Sequence, residues 1–128
     1  MEKFFIEATK ASPRIHLNPE THRHEIAGES YPENCSSFYS PMFTWLEQYL
    51  GGLNGNSLEF SLDILYFNSS SSKTFMDLFD LLDDVASTGT SIVVNWRYHE
   101  ENEIALECGE EFMEEVQNIR FNLVSYNN

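Results

Sequence analysis

Four consecutive hydroxyls, Ser69-Ser70-Ser71-Ser72, stand between Leu65-Tyr66-Phe67-Asn68 and Lys73. Phe75, Leu78, Phe79 and Leu82 follow at helical spacing. A strand that feeds an amphipathic helix through serines holds those hydroxyls at a fixed edge, beside outward-pointing helix N–H groups. The chemistry this suits is esterification by phosphate. Such a group adds a charge of roughly −1.5 to −2 at neutral pH. At an exposed helix start it gains about 0.3–1 kcal/mol, and Lys73 stands ready to neutralise part of it. Inside a packed protein interface the same charge must lose its water or meet acids already present, which costs more. Modification is therefore expected to disturb partner binding more than folding, with Asn68, Ser70, Ser71 and Lys73 on the partner-facing surface. The rival reading, a flexible polar turn, is opposed by the shortness of the run and its apolar flanks.

Other chemistry is weakly supported. His22 and His24 alternate and so share a strand face, with His16 on a neighbouring strand. Three imidazoles are zinc ligands by type, which frames a small metal-dependent hydrolase as one alternative. No Cys or acid completes a spacing motif, so neither metal nor cofactor is expected. His99, followed by Glu100 and Glu101, has no nucleophile near it in sequence. Glu110/Glu111 and Glu114/Glu115 recur with the period of an exposed helix face, unlike a carboxylate pair set across a cleft. Gly-rich phosphate loops, nucleophile elbows and paired-cysteine knuckles are absent from the sequence. The expectation is a protein that is not an enzyme.

The 128 residues suit a single domain, 1–128, and 41% hydrophobic with 14% aromatic content suffices for a core. No apolar run reaches membrane-spanning length and the N-terminus lacks a secretion signal, so a cytoplasmic location is expected. Cys35 and Cys108 are far apart and read as free thiols. Seven bases against 21 acids give a net charge of −14. Between Asp77 and Glu115 twelve acids face one base, Arg97, hence −11. Such a surface repels phosphate backbones and anionic lipid, which argues against nucleic acid and membrane as partners. It either solvates helix faces or receives a basic partner.

Periodicity supplies the elements that position the serines. Phe4–Glu7, Arg14–Leu17 and Arg23–Ala27 read as strands, with a turn at Asn18-Pro19 and a stop at Gly28. The loop Tyr31-Pro32-Glu33-Asn34 leads to a helix capped by Asn34 or Ser36, with Pro41 allowed only in a first turn. That helix carries Met42, Trp45, Leu46 and Tyr49 and ends at Gly51-Gly52. A strand over Ser57–Phe67 points Leu58, Phe60, Leu62, Ile64 and Tyr66 one way. Leu65 and Phe67 make both faces apolar near its end, which places that end deep in the sheet. A second helix spans about Ser71–Ala86, a strand Thr90–Tyr98, a third helix Glu103–Val116 and a closing strand Phe121–Val124. The third helix is expected to bury Ala105, Cys108, Phe112 and Met113. Alternating strands and helices predict an α/β fold, a mixed sheet with helices packed on it.

With the segments in order, the chain resembles the SiaC-type biofilm-regulation phosphoproteins. The resemblance rests on Gly28-Glu29-Ser30-Tyr31-Pro32-Glu33-Asn34 and Leu65 through Lys73. It continues through Met76-Asp77-Leu78-Phe79-Asp80-Leu81-Leu82, Trp96-Arg97-Tyr98 and Glu110-Glu111-Phe112. It implies a STAS-like fold, as in anti-sigma-factor antagonists. It also implies a Ser/Thr kinase of anti-sigma-factor type that phosphorylates the domain and a PP2C-type phosphatase that reverses this. The unphosphorylated form then binds and activates a diguanylate cyclase. The modified hydroxyl, carried over by position, directly follows the Asn of the Asn-Ser-Ser-Ser piece. Here it is Ser69, with Ser70 the alternative, since family members often carry Thr where this chain has Ser. A constitutive interaction domain whose serines stay unmodified is the structural rival.

Overall fold

In the computed structural model, which describes residues 1–53 and 55–128, the chain forms one sheet in the order β1 to β6. The strands are β1 (Phe4–Ile6), β2 (Arg14–Asn18), β3 (Arg23–Ser30), β4 (Leu58–Phe67), β5 (Ile92–His99) and β6 (Arg120–Tyr126). The helices are α1 (Cys35–Gly51), α2 (Ser69–Ala86) and α3 (Glu103–Glu115). β1, β2 and β3 pair antiparallel, whereas β3 to β6 run parallel. Each parallel step needs a crossover, and each crossover here carries one helix. Right-handed crossovers repeated in one direction put every helix on the same side of the sheet. The burial pattern agrees: Ile15, Leu17, Ile26, Phe60, Leu62, Val94 and Trp96 on that face are fully buried. The opposite face is a polar ladder, in which Asn122 donates to Asn95 and Asn95 to Ser61. The predicted mixed α/β sheet with packed helices is thus observed.

Parallel order also brings the helix starts to the edge formed by the C-terminal ends of β3, β4 and β5. Each start is capped by an asparagine whose side chain accepts an N–H three residues on. These are Asn34, Asn68 and Asn102, at intervals of 34 residues, one per strand–helix unit. At the far end Asp83 of α2 accepts N–H bonds from Gln117, Asn118 and Ile119, which pins the turn between α3 and β6.

Five local expectations change. Gly28 does not end the third strand; at φ +130° it sits inside β3, where an added Cβ would lie 3.3 Å from Pro13 Cα. Pro41 lies beyond the first turn of α1, exposed, so its lost N–H bond faces water. α2 begins at Ser69, not Ser71, because Asn68 takes the cap and draws all four serines into helix. On α3, Cys108 and Met113 are half-buried, and Gly109 takes the buried place against Trp96.

The end of β4 differs most. Ile64 lies opposite Gly28, but Tyr66 lies opposite Glu29, so Leu65 is an extra residue in the ladder. This bulge reverses the alternation beyond it. Phe67 turns inward against Phe75 and Trp96, while Leu65 and Tyr66 stand 55% and 56% exposed. The expected burial of both faces there is overturned.

Candidate functional site

The serines divide by helical position. Ser69 and Ser70, the first two residues of α2, are exposed; Ser72 is half-buried; Ser71 is fully buried. Ser71 sits under a hydroxyl chain whose direction follows from its last acceptor. Its Oγ donates to the Ser30 carbonyl at 2.8 Å, so it accepts from Ser30 Oγ at 2.7 Å, which in turn accepts from the Tyr39 hydroxyl at 2.6 Å. Burial pushes the Tyr39 hydroxyl well above its ordinary range and keeps that donor protonated. Beside it the Cys35 thiol donates to Thr74 Oγ1 at 3.2 Å, and Thr74 donates to the Ser70 carbonyl. These bonds lock the starts of α1 and α2 together. The expectation that Ser71 faces a partner is therefore corrected: it is a buried joint.

Asn68 is half-buried and caps the helix, Ser70 faces a cavity of about 650 Å³ between α1 and α2, and Lys73 reaches Asp77 at 3.5 Å. Ser69 points elsewhere. With Ser72 it lines two depressions, one bounded by β4 and α3 and the other by Met76, Phe112, Glu111, Glu114 and Glu115. A phosphate on Ser69 would lie at the start of α2, where the first N–H groups have no intrahelical acceptor. It would also stand across from the three glutamates of α3. Asn34 sets the entry to α1, and the Tyr31 ring packs edge-on against Tyr66 at 5.6 Å.

The histidines do not converge. His24 is buried against Trp45, Tyr49 and Phe60, its Nδ1 accepting from the Asn18 N–H at 3.0 Å. His22 has φ 59°, precedes β3 and bonds the Tyr49 hydroxyl. His16 lies opposite Glu25, on the other face of the sheet. No group of three metal-ligating side chains forms among the described residues, so the histidine-based hydrolase is overturned by the geometry. His99 instead caps its own loop, accepting the Glu101 N–H.

The residues that sequence reasoning missed are Leu65, Tyr66, Ile104 and Asn102. The exposure of the first two depends on the bulge, which no periodicity announces. The cap at Asn102 had a signal, the 34-residue spacing from Asn34 and Asn68.

A model of the SiaC family of regulatory phosphoproteins matches residues 6–126. The chain belongs to that family. It is 34% identical over 115 residues, 90% of each chain, to a protein of Pseudomonas aeruginosa strain UCBPP-PA14 described as uncharacterised. SiaC of Pseudomonas aeruginosa has the same fold, at a TM-score of 0.87 and 30% identity over 98% of this chain and 100% of its own. A chain in the crystal structure of the diguanylate cyclase SiaD in complex with its activator SiaC matches more tightly. Its TM-score is 0.90, at 32% identity over 96% of this chain and 99% of that one. The protein is thus a regulatory phosphoprotein by family, in line with the non-enzymatic reading.

Proposed function

We propose that this SiaC-family protein is a partner-switching element of STAS-like kind that, unphosphorylated, binds and activates a diguanylate cyclase in the cytoplasm. A Ser/Thr kinase of anti-sigma-factor type places phosphate on Ser69, with Ser70 the alternative acceptor, and a PP2C-type phosphatase removes it. The observation that carries this reading is the position of Ser69: exposed, first in α2, and shared by the two depressions that flank the helix start. The likeness to a chain crystallised with SiaD supports the choice of a cyclase as partner. A phosphate at Ser69 gains little from the helix start and loses much when a partner covers it. It therefore rejects the partner while leaving the fold intact. Ser69→Ala should bind the cyclase as wild type does, and Ser69→Asp should bind at least roughly tenfold more weakly, an energy difference of about 1.4 kcal/mol. Titration calorimetry with the full-length cyclase reads this, and equal affinities across the three proteins would remove the switch from this position.

A further inference from the structure

The bulge in β4 builds a feature that the switch reading does not use. Leu65 and Tyr66 stand outward on one wall, and Ile104, 73% exposed, faces them from the first turn of α3. The Leu65 carbonyl accepts the side-chain amide of Asn102 at 3.2 Å, while Asn102 Oδ1 caps α3. One side chain thus ties the bulge to the helix opposite, so the walls are held at a set separation. Between them lies a groove of about 280 Å³, closed at one end by Ser69 and Ser72.

We propose that this groove seats an apolar anchor from an amphipathic, basic helix of the regulated partner. The inference rests on the switch reading and specifies its docking surface. Three observations define the occupant. The volume lies at the lower edge of the range usual for small-molecule sites, a size that suits one or two side chains. The groove lies at the end of β4, where pairing with β5 stops at Asp63 and the Leu65 carbonyl already accepts from Asn102, so an added strand would find that acceptor taken. An incoming segment must bring its own backbone hydrogen bonds, which a helix does. Around Ile104 the exposed side chains Glu101, Glu103 and Glu107 make an acidic rim, so the flanks of that helix carry Lys or Arg. Cys108 lines the groove as a neutral thiol, because burial and then Glu111 and Glu107 raise its pKa. Ser69 belongs to the wall formed by α2, where the anchor is apolar, and a dianion there has to be dried when the anchor seats.

The test is binding of the full-length cyclase by wild type, Leu65→Ala/Ile104→Ala and Glu103→Gln/Glu107→Gln across a salt series. The apolar pair is exposed, so the first variant should keep its melting temperature and bind roughly tenfold or more weakly. The second should bind more weakly at low salt and show a shallower salt dependence than wild type. Wild-type affinity in the alanine variant, or a wild-type complex indifferent to salt, overturns the inference and leaves the switch standing. Failure of the wild-type protein to bind the cyclase overturns both.

Discussion

Ser71 and Ser69 are two residues apart in a run of identical side chains, yet their substitutions should behave in opposite ways. Ser71→Ala strips the acceptor from Ser30 Oγ and the donor from the Ser30 carbonyl, both buried. A cost of about 1–3 kcal/mol is expected, seen as a lower melting temperature, whereas Ser69→Ala should melt as wild type does. If Ser71→Ala melts unchanged, the hydroxyl chain is not stabilising the junction of α1 and α2. His24 offers a second residue-scale outcome. Burial, followed by the neighbouring His22 and His16, lowers its pKa to about 4 from the unfolded value of 6.5. The unfolded chain therefore binds the proton first as pH falls. The stability this group contributes is complete above pH 6.5 and drains away toward pH 4, by about 3 kcal/mol at the lower limit. Denaturant midpoints for wild type and His24→Gln should diverge in slope across that window. Parallel slopes would assign the acid sensitivity to carboxylates instead.

At the scale of elements, α3 lies close to the sheet because Gly109 has no side chain. A Cβ there would lie 2.5 Å from Trp96 Cδ1 and 2.8 Å from a Leu123 methyl, both in packed surroundings. Gly109→Ala gains helix propensity, about 0.8–1 kcal/mol. Overpacking costs about 1–3 kcal/mol and outweighs that gain. The net expectation is a loss of stability together with altered tryptophan fluorescence from Trp96, whose indole N–H bonds the Ala105 carbonyl at 2.9 Å. A variant at least as stable as wild type would mean that α3 can move away without penalty. The existence and type of each element were legible in the sequence, since Leu58, Phe60, Leu62 and Ile64 alternate and Phe75, Leu78, Phe79 and Leu82 recur helically. Two boundaries were not. The reading from spacing left Ser69 and Ser70 before the helix, but the Asn68 side chain captures the Ser71 N–H and starts the helix two residues sooner. The end of β4 read as buried because alternation was extended through Leu65, where an inserted residue reverses it.

For the whole molecule, charge and topology act on different questions. A net charge of −14, concentrated on α2, α3 and the loop between β5 and α3, selects against anionic surfaces and prefers basic ones. Among the described residues no helix is long and apolar enough to cross a membrane. The order of short motifs along the chain, from Tyr31-Pro32-Glu33-Asn34 through the serines to Trp96-Arg97-Tyr98, points to the family by itself. The serine run likewise marks the place to look. These features depend on residue type and local spacing, which a linear string carries in full. Which hydroxyl is reachable is another matter. Ser71 is hidden by Ser30, 41 positions away, and Leu65 is exposed by a mismatch of register with β3. His16 faces the other side of the sheet from His24, while His22 and His24 are both packed against Tyr49. Exposure and convergence depend on contacts between distant segments, so only the folded chain decides them.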